Sequence, residues 1–244
     1  YAYGNAFWLF NSVLLFPFYL NNDTQSIVVL GRLISLFFVF GSIYVVGLIV
    51  DRIRPDAGLL KYPILISLAT MPMLAVIATK FHVNAQAIFF GILSFYILIS
   101  ELEINKRKII YSAFFAGVAI GFKLTSIIIT PLLCLALMRK LYYRGIKIAI
   151  IGTAIYFLSI FFMAAFFTAP AVLFFPFYID ELMSAFKTLL MFKDMGGVST
   201  PYSSNYFLDS IKFYFSPLFL IFSIPLFIFL IVDDIKQKKY LSFF

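Results

Sequence analysis

The chain has few charged residues: Asp, Glu, Lys and Arg together make up 12% of its 244 residues. Soluble domains carry about 25% charged residues, so this sequence has too little polar surface to solvate a globule of its length. Hydrophobic residues make up 63%, and the mean hydropathy is +1.02. These values exclude a soluble fold and predict an integral membrane protein built from apolar helices.

Cysteine and histidine are nearly absent as well, since Cys134 and His82 are the single copies of each. One cysteine excludes an intrachain disulfide. One histidine excludes an HExxH zinc protease and any multi-histidine metal site. The chain starts at Tyr1 without Met and stops at Phe244 within an apolar stretch, so we expect it to be a piece of a longer protein.

Long apolar runs alternate with short charged turns along the chain, and the runs cover residues 26–50, 62–79, 83–100, 109–138, 148–167 and 213–232. The formal net charge is +8, and 13 of the 19 basic residues fall in four clusters, at residues 52–61, 106–108, 139–147 and 236–239. Basic residues collect in the cytoplasmic loops of membrane proteins, which explains this charge without a nucleic-acid partner. If all four clusters face the cytoplasm, an even number of spans separates each neighbouring pair.

The apolar run over residues 109–138 decides the topology, because its 30 residues are long for one span and short for two. Two shortened helices that turn near residues 121–125 would give an even number of spans between the second and third basic clusters. They would also bring Lys123 near the outer surface. One long tilted helix is the alternative, and it leaves Lys123 near the bilayer centre, where a cation is costly. We favour the broken pair. In the same run, Gly117 and Gly121 form a GxxxG spacing, which predicts close helix packing.

The same count of spans places residues 1–25 outside, as a helix on the membrane surface or as the end of an earlier span. It also makes residues 168–212 one large external loop. The sequence therefore predicts an all-α protein, a polytopic transmembrane helical bundle with one large external loop. In this prediction residues 1–244 form a single domain embedded in the lipid bilayer.

Polar side chains at the outer ends of the runs are the candidates for binding: Arg32, Lys80, His82, Asn84 and Lys123. Cations beside aromatic surface at the membrane boundary suit a phosphate attached to a lipid, since Arg binds phosphate as a fork and Lys as a point charge. Simpler interpretations exist for four of them. Arg32 and Lys80 fit snorkelling side chains at helix ends. His82 fits a solvated turn residue, and Asn84 fits the cap of the following helix. Lys123 interrupts the longest apolar run, so a function is the better interpretation there.

Three segments, in this order, resemble motifs of one membrane enzyme superfamily. Gly31–Ser35 is similar to an "RLxS" helix start and Phe81–Gln86 to an "H-x-D-x-x" turn. Ala116–Thr125, followed by Pro131, is similar to a glycine-rich segment with a lysine near its end. Together they resemble the glycosyltransferase C superfamily (GT-C). The nearest branch looks like the dolichyl-phosphate-mannose protein mannosyltransferases and the bacterial aminoarabinose transferases.

The resemblance implies an inverting transferase that takes a sugar from a polyprenyl-phosphate donor, on the outer or luminal face, and gives it to a protein, lipid or glycan acceptor. Lys123 matches the family's lysine, and Arg32 and His82 match their motif positions. Asn84 stands where Asp is usual, so a metal-ligand role there, and with it a divalent-metal cofactor, stays open.

The family's general base is a carboxylate in the first external loop, which would lie before Tyr1. The resemblance therefore assigns no catalytic base within this chain, and we expect the chain alone to be inactive. The membrane it implies is the plasma membrane of a bacterium or archaeon, or the endoplasmic reticulum.

Two other functions stay open. A transporter or flippase uses broken helices at its substrate site, and a break within residues 109–138 would fit one. In a non-catalytic membrane subunit, the external charges would only set the topology. A transferase gathers its polar residues at one membrane boundary, whereas a transporter lines a path across the bilayer, so the location of the polar residues discriminates between these functions.

Overall fold

The computed structural model describes residues 5–100 and 105–168, and all regular elements there are helices. The α-helices are α1 (Asn5–Leu20), α2 (Thr24–Ile53), α3 (Lys61–Ala69), α4 (Pro72–Thr79), α5 (Val83–Ile99), α6 (Lys106–Phe122), α7 (Ile129–Tyr142) and α8 (Ile146–Thr168). Two short 3-10 helices, Pro55–Leu60 and Leu124–Ile128, precede α3 and α7. The predicted all-α fold is confirmed for these residues. The large external loop, the run 213–232 and the fourth basic cluster lie outside them.

Three of the described helical segments are long and apolar enough to cross a membrane: α2, the segment Leu124–Tyr142 that includes α7, and α8. α3 and α4 would together form a fourth span, although the two are bent by 56° relative to each other. α5 and α6 are shorter, at 17 residues each, which is the lower end of the length that spans a bilayer. These helices support the prediction of a membrane protein.

The apolar run over residues 62–79 is not one helix, because α3 ends at Ala69 and α4 begins at Pro72. Proline has no N–H, and its ring disfavours helical backbone at the residue before it. Met71 accordingly has an extended backbone, with φ −67° and ψ 119°. If this run crosses the membrane, it does so as a span broken between α3 and α4.

The first three basic clusters lie at one end of the helices, because a residue of each donates a hydrogen bond to the end of α5. The three bonds run from Arg52 Nε to Ile99 O (3.2 Å), from Lys108 Nζ to Ser100 Oγ (2.8 Å) and from Lys140 Nζ to Leu98 O (2.6 Å). We call this end the basic end. Lys108 lies at the start of α6 and Lys140 near the end of α7, so the chain reverses direction between them. This confirms the broken pair of helices and excludes one long tilted helix.

α1 turns back along the first half of α2. Asn22 has a φ of 52° and reverses the chain, and Asp23 Oδ1 caps α2 by accepting a hydrogen bond from Ser26 N over 3.0 Å. Further along, the ring centroids of Phe10 and Phe38 are 5.9 Å apart. α1 therefore packs lengthwise on the other helices, as the end of a span would, and does not lie across them.

Small residues bring α6 and α8 into backbone contact. A Cβ added to Gly117 would lie 2.9 Å from the carbonyl carbon of Met163, and one added to Gly121 would lie 3.1 Å from that of Phe167. Neither position has room for a side chain, so the close packing predicted from the GxxxG spacing is confirmed.

A buried hydroxyl cluster of Ser94, Ser112 and Tyr156 joins α5, α6 and α8. Ser94 Oγ donates to Ser112 O over 2.7 Å, and Ser112 Oγ donates to Ser94 O over 2.9 Å. Ser112 Oγ also lies 2.6 Å from Tyr156 OH. Because lipid offers no hydrogen bonds, polar groups inside a membrane bundle pair with one another. The cluster thus fixes the three helices that form the centre of the described fold.

Candidate functional site

The turn between α4 and α5 docks onto one face of α2. Ser35 Oγ of α2 accepts a hydrogen bond from His82 N over 3.0 Å. One helical turn earlier, Gly31 lies under the ring of Phe81, so closely that a Cβ at Gly31 would be 2.6 Å from the ring carbon Cγ. Gly31 and Ser35 are both buried and stand four residues apart, which places them on the same face of α2. This face holds the turn.

His82 is the residue that caps α5. Its Nδ1 accepts a hydrogen bond from Asn84 N over 3.1 Å, which requires an imidazole that is unprotonated at Nδ1. Asn84 is the second residue of α5, so the interpretation of Asn84 as the helix cap is wrong. Its side chain contacts Lys123 instead.

Lys123 directly follows α6, with an extended backbone of φ −146° and ψ 119°. Its Nζ donates a hydrogen bond to Asn84 Oδ1 over 2.7 Å, and the residue is half-buried. An ammonium group has three hydrogen-bond donors. Within the described residues, one N–H of the Lys123 ammonium group is hydrogen-bonded, to Asn84, and the other two can bind a ligand. We call Ser35, His82, Asn84 and Lys123 the turn cluster.

No carboxylate within residues 5–100 and 105–168 is paired with Lys123. Asp51 belongs to the basic end, where its Oδ2 lies 3.0 Å from Lys61 Nζ. Asp23 caps the start of α2. The same residues contain no group of three or more His, Cys, Asp or Glu side chains that could hold a metal ion. A half-buried cation without a carboxylate partner attracts an anion.

Positive charge accumulates around His82. Burial lowers the pKa of His82, and the charges of Lys123 and Lys80 lower this pKa further. Burial also lowers the pKa of Lys123. All three residues lie in connections between helices, and a bound anion would offset their mutual repulsion.

Arg32 and Lys80 lie beside the turn cluster without joining it. Both side chains are exposed, and neither forms a hydrogen bond or ion pair with the described residues. Lys80 is two residues from His82, and Arg32 adjoins Gly31 on α2. Of the five predicted binding residues, the structure therefore joins three directly and leaves these two cations around them.

The turn cluster lies far from the basic end. Ser35 precedes Arg52 by 17 residues of α2, which is a rise of about 25 Å, against about 30 Å for the hydrocarbon core of a bilayer. The described helical segments between the two ends contain no Asp, Glu, Lys or Arg. The charged residues therefore gather at the two ends and do not line a path across.

A buried amide pair behind the turn cluster was missed by the sequence interpretation. Asn11 of α1 and Gln86 of α5 are 3% and 1% exposed. Gln86 Nε2 donates to Asn11 Oδ1 over 2.8 Å, and Asn11 Nδ2 donates to Gln86 Oε1 over 3.3 Å. A long polar side chain on an otherwise apolar helix needs such a partner, and this is the signal that could have identified the pair.

Comparison with known proteins finds no relative, since no protein-family model, curated protein or solved structure matches the chain. The turn cluster and its surroundings are therefore the basis for a function.

Proposed function

We propose that the protein is a membrane glycosyltransferase that transfers a sugar from a polyprenyl-phosphate donor to an acceptor, at the membrane face opposite the basic end. The observation that carries this proposal is the half-buried ammonium of Lys123, which Asn84 holds and no described carboxylate pairs with. A phosphate supplies the missing negative charge and oxygen atoms that accept strong charge-assisted hydrogen bonds. A lipid tail on that phosphate accounts for a site at the boundary of an apolar bundle.

Lys123 and Asn84 act together in the proposed mechanism. Asn84 Oδ1 accepts a hydrogen bond from one N–H of the Lys123 ammonium group. The other two N–H groups of Lys123 are thereby directed toward the phosphate of the sugar donor. When the bond between sugar and phosphate breaks, negative charge builds up on the departing phosphate, and Lys123 stabilises that charge. Because the amide of Asn84 is neutral, it orients the cation without cancelling its charge.

The other predicted residues have supporting roles. His82 positions Asn84 by accepting its backbone N–H, and the exposed Arg32 and Lys80 attract the anionic donor to this face. The general base that deprotonates the acceptor is not assigned. Asp23 precedes Ser35 by twelve residues, which corresponds to a rise of about 18 Å along α2. This distance is too long for Asp23 to deprotonate an acceptor that is bound next to Lys123.

Transfer from labelled polyprenyl-phosphate sugars by the full-length protein in membranes tests the proposal. Lys123→Ala should reduce kcat/KM roughly 100-fold or more, the usual effect of removing a group that stabilises a developing oxyanion. The matched control is Lys147→Ala, which removes an exposed lysine at the basic end and should leave transfer unchanged at equal expression. No transfer by the wild type from any donor, or equal losses in the two variants, would contradict the proposal.

A transporter or flippase is the second candidate, and the bend of 56° between α3 and α4 favours it, because broken helices are common at transport sites. Against it stands the lack of charged residues in the described helical segments between the two ends. Uptake or efflux of a solute, in membranes that show no sugar transfer, would support the transporter. A non-catalytic subunit would show neither activity.

A further inference from the structure

A pocket of about 340 Å³ opens at the basic end, between the last turn of α5 and the first turns of α6. Tyr96 of α5 lines one wall, and Arg107, Tyr111 and Phe115 of α6 line the other. The pocket extends along α6 from Arg107, about 24 Å from Lys123, to Phe115, about 12 Å from Lys123. It is therefore a separate feature, and a ligand bound there is independent of the proposed transferase activity.

The wall formed by α6 changes in chemical character with depth. Arg107, Tyr111 and Phe115 stand at four-residue intervals on one face of the helix, so each lies about 6 Å further from the basic end than the one before. The order is a guanidinium, then a phenol that is 56% exposed, then a hydrocarbon ring. The Phe115 ring stacks on Phe90, with 5.7 Å between centroids and 9° between planes. The deep part of this wall is thus apolar and fixed.

Arg107 differs from the neighbouring cations. At this end Arg52, Lys108 and Lys140 each donate to an oxygen of α5 or of the residue that follows it. The Arg107 side chain is exposed and forms no hydrogen bond or ion pair with the described residues. Its guanidinium donors are therefore available at the mouth of the pocket.

The surroundings of the pocket carry an excess of positive charge. The basic residues described at this end include Arg52, Lys106, Arg107, Lys108, Arg139 and Lys140, whereas the carboxylate of Asp51 is already paired with Lys61. A ligand here should accordingly be an anion. The apolar wall beneath Arg107 requires that the same ligand also carry a hydrocarbon chain.

We propose that this pocket binds one anionic phospholipid of the membrane leaflet at the basic end. The lipid phosphate binds the guanidinium of Arg107, which matches phosphate as a fork. The glycerol and ester groups lie against Tyr111 and Tyr96, whose rings suit the membrane interface, and the first part of an acyl chain packs on Phe115. A phosphate without a lipid tail would use only the mouth of the pocket and leave its apolar wall empty.

Native mass spectrometry of the purified full-length protein tests this site, with equal amounts of dioleoyl phosphatidylglycerol and dioleoyl phosphatidylcholine. The wild type should retain the anionic lipid preferentially. Arg107→Gln should reduce this preference roughly fivefold, the effect of one basic residue near an anionic lipid. Arg144→Gln is the matched control, because Arg144 is an exposed cation at the same end that does not line the pocket. It should leave the preference unchanged.

Folding and the nature of the ligand are checked separately. Since the Arg107 side chain forms no hydrogen bond or ion pair with the described residues, Arg107→Gln should unfold at the wild-type temperature when lipid is absent. Tyr111→Ser removes an aromatic ring from the wall of the pocket and leaves its charge unchanged. It should therefore weaken the retention of both lipids. Equal retention of the two lipids by the wild type, equal effects of the two arginine variants, or displacement of the lipid by millimolar glycerol phosphate would each overturn the proposal.

Discussion

Replacing Gly31 by Ala tests whether α2 holds the turn cluster in place. The new methyl carbon would lie 2.6 Å from Cγ of Phe81 and 2.9 Å from both Cδ atoms, whereas carbon atoms in contact stand roughly 3.5–4 Å apart. The Phe81 ring must therefore move by about 1 Å. Its neighbour His82 binds Ser35 through the backbone N–H, so the displacement passes to the turn cluster.

The expected loss of stability follows from two opposing effects. Overpacking costs about 1–3 kcal/mol, and Ala is up to about 1 kcal/mol better than Gly inside a helix. A net loss of about 1–2 kcal/mol should lower the unfolding temperature by about 2–8 °C for a chain of this length. Affinity for a polyprenyl phosphate should fall in the same variant, since Asn84 and Lys123 would no longer be aligned.

Thermal unfolding in detergent at a fixed scan rate measures this effect, with Gly47→Ala of the same helix as control. A Cβ at Gly47 would lie 3.4 Å from Leu65 Cδ1, an ordinary contact, so the control should unfold at or slightly above the wild-type temperature. In a Phe81→Ala background, Gly31→Ala should cost nothing. Equal shifts for the two glycine variants, or a cost that persists without the Phe81 ring, would refute the reasoning.

Three further predictions concern other contacts. Gly117→Ala would press a methyl group against the backbone of α8, whereas the control Gly91→Ala would meet only a side-chain methyl at 3.3 Å. Thermal scans should therefore show a larger fall in unfolding temperature for Gly117→Ala. Equal falls in the two variants would contradict the tight packing of α6 on α8. Because the pKa of His82 is lowered in the folded protein, the stability that its neutral form contributes is present above about pH 6.5 and is lost as the pH falls through the lowered pKa. His82→Asn keeps a capping side chain, so it should flatten this part of the pH profile of the unfolding temperature, and an unchanged profile would count against His82. Tyr156→Phe removes one hydrogen bond to Ser112, whose hydroxyl keeps another partner, so the free energy of unfolding in denaturant titrations should fall by only about 0.5–1.5 kcal/mol.

The reversals of the chain could be predicted because charge is rare in this sequence. The basic clusters fixed one end, and Lys123 marked the position where a continuous apolar run had to break. The break before Pro72 was not foreseen, because Met71, Met73 and Leu74 keep the run apolar. Mean hydropathy does not depend on whether a residue has a backbone N–H. A helix does, because proline cannot donate the hydrogen bond that would continue it.

The turn cluster could be predicted in part. His82, Asn84 and Lys123 stood out as polar residues in apolar surroundings, but the residues of α2 that hold the turn did not. A helix that is apolar on every side has no hydrophobic stripe to reveal its inward face. In a membrane bundle, small residues mark that face instead, and Gly31 and Ser35 are both buried there.

The hydroxyl cluster limits how the bundle can move. If α5 slid along α6, the hydroxyl of Ser94 would lose its hydrogen bond to Ser112 O, and the hydroxyl of Ser112 would lose its hydrogen bond to Ser94 O. Lipid has no group that could replace these bonds for either serine. The glycine contacts bar α8 from shifting on α6 in the same way. These three helices therefore behave as one rigid body. Among the described helices, α3 and α4 are attached differently, because a 3-10 helix joins α3 to α2 and the helical backbone breaks before Pro72. If the proposed lipid-linked donor binds, we expect the bundle to open at this pair.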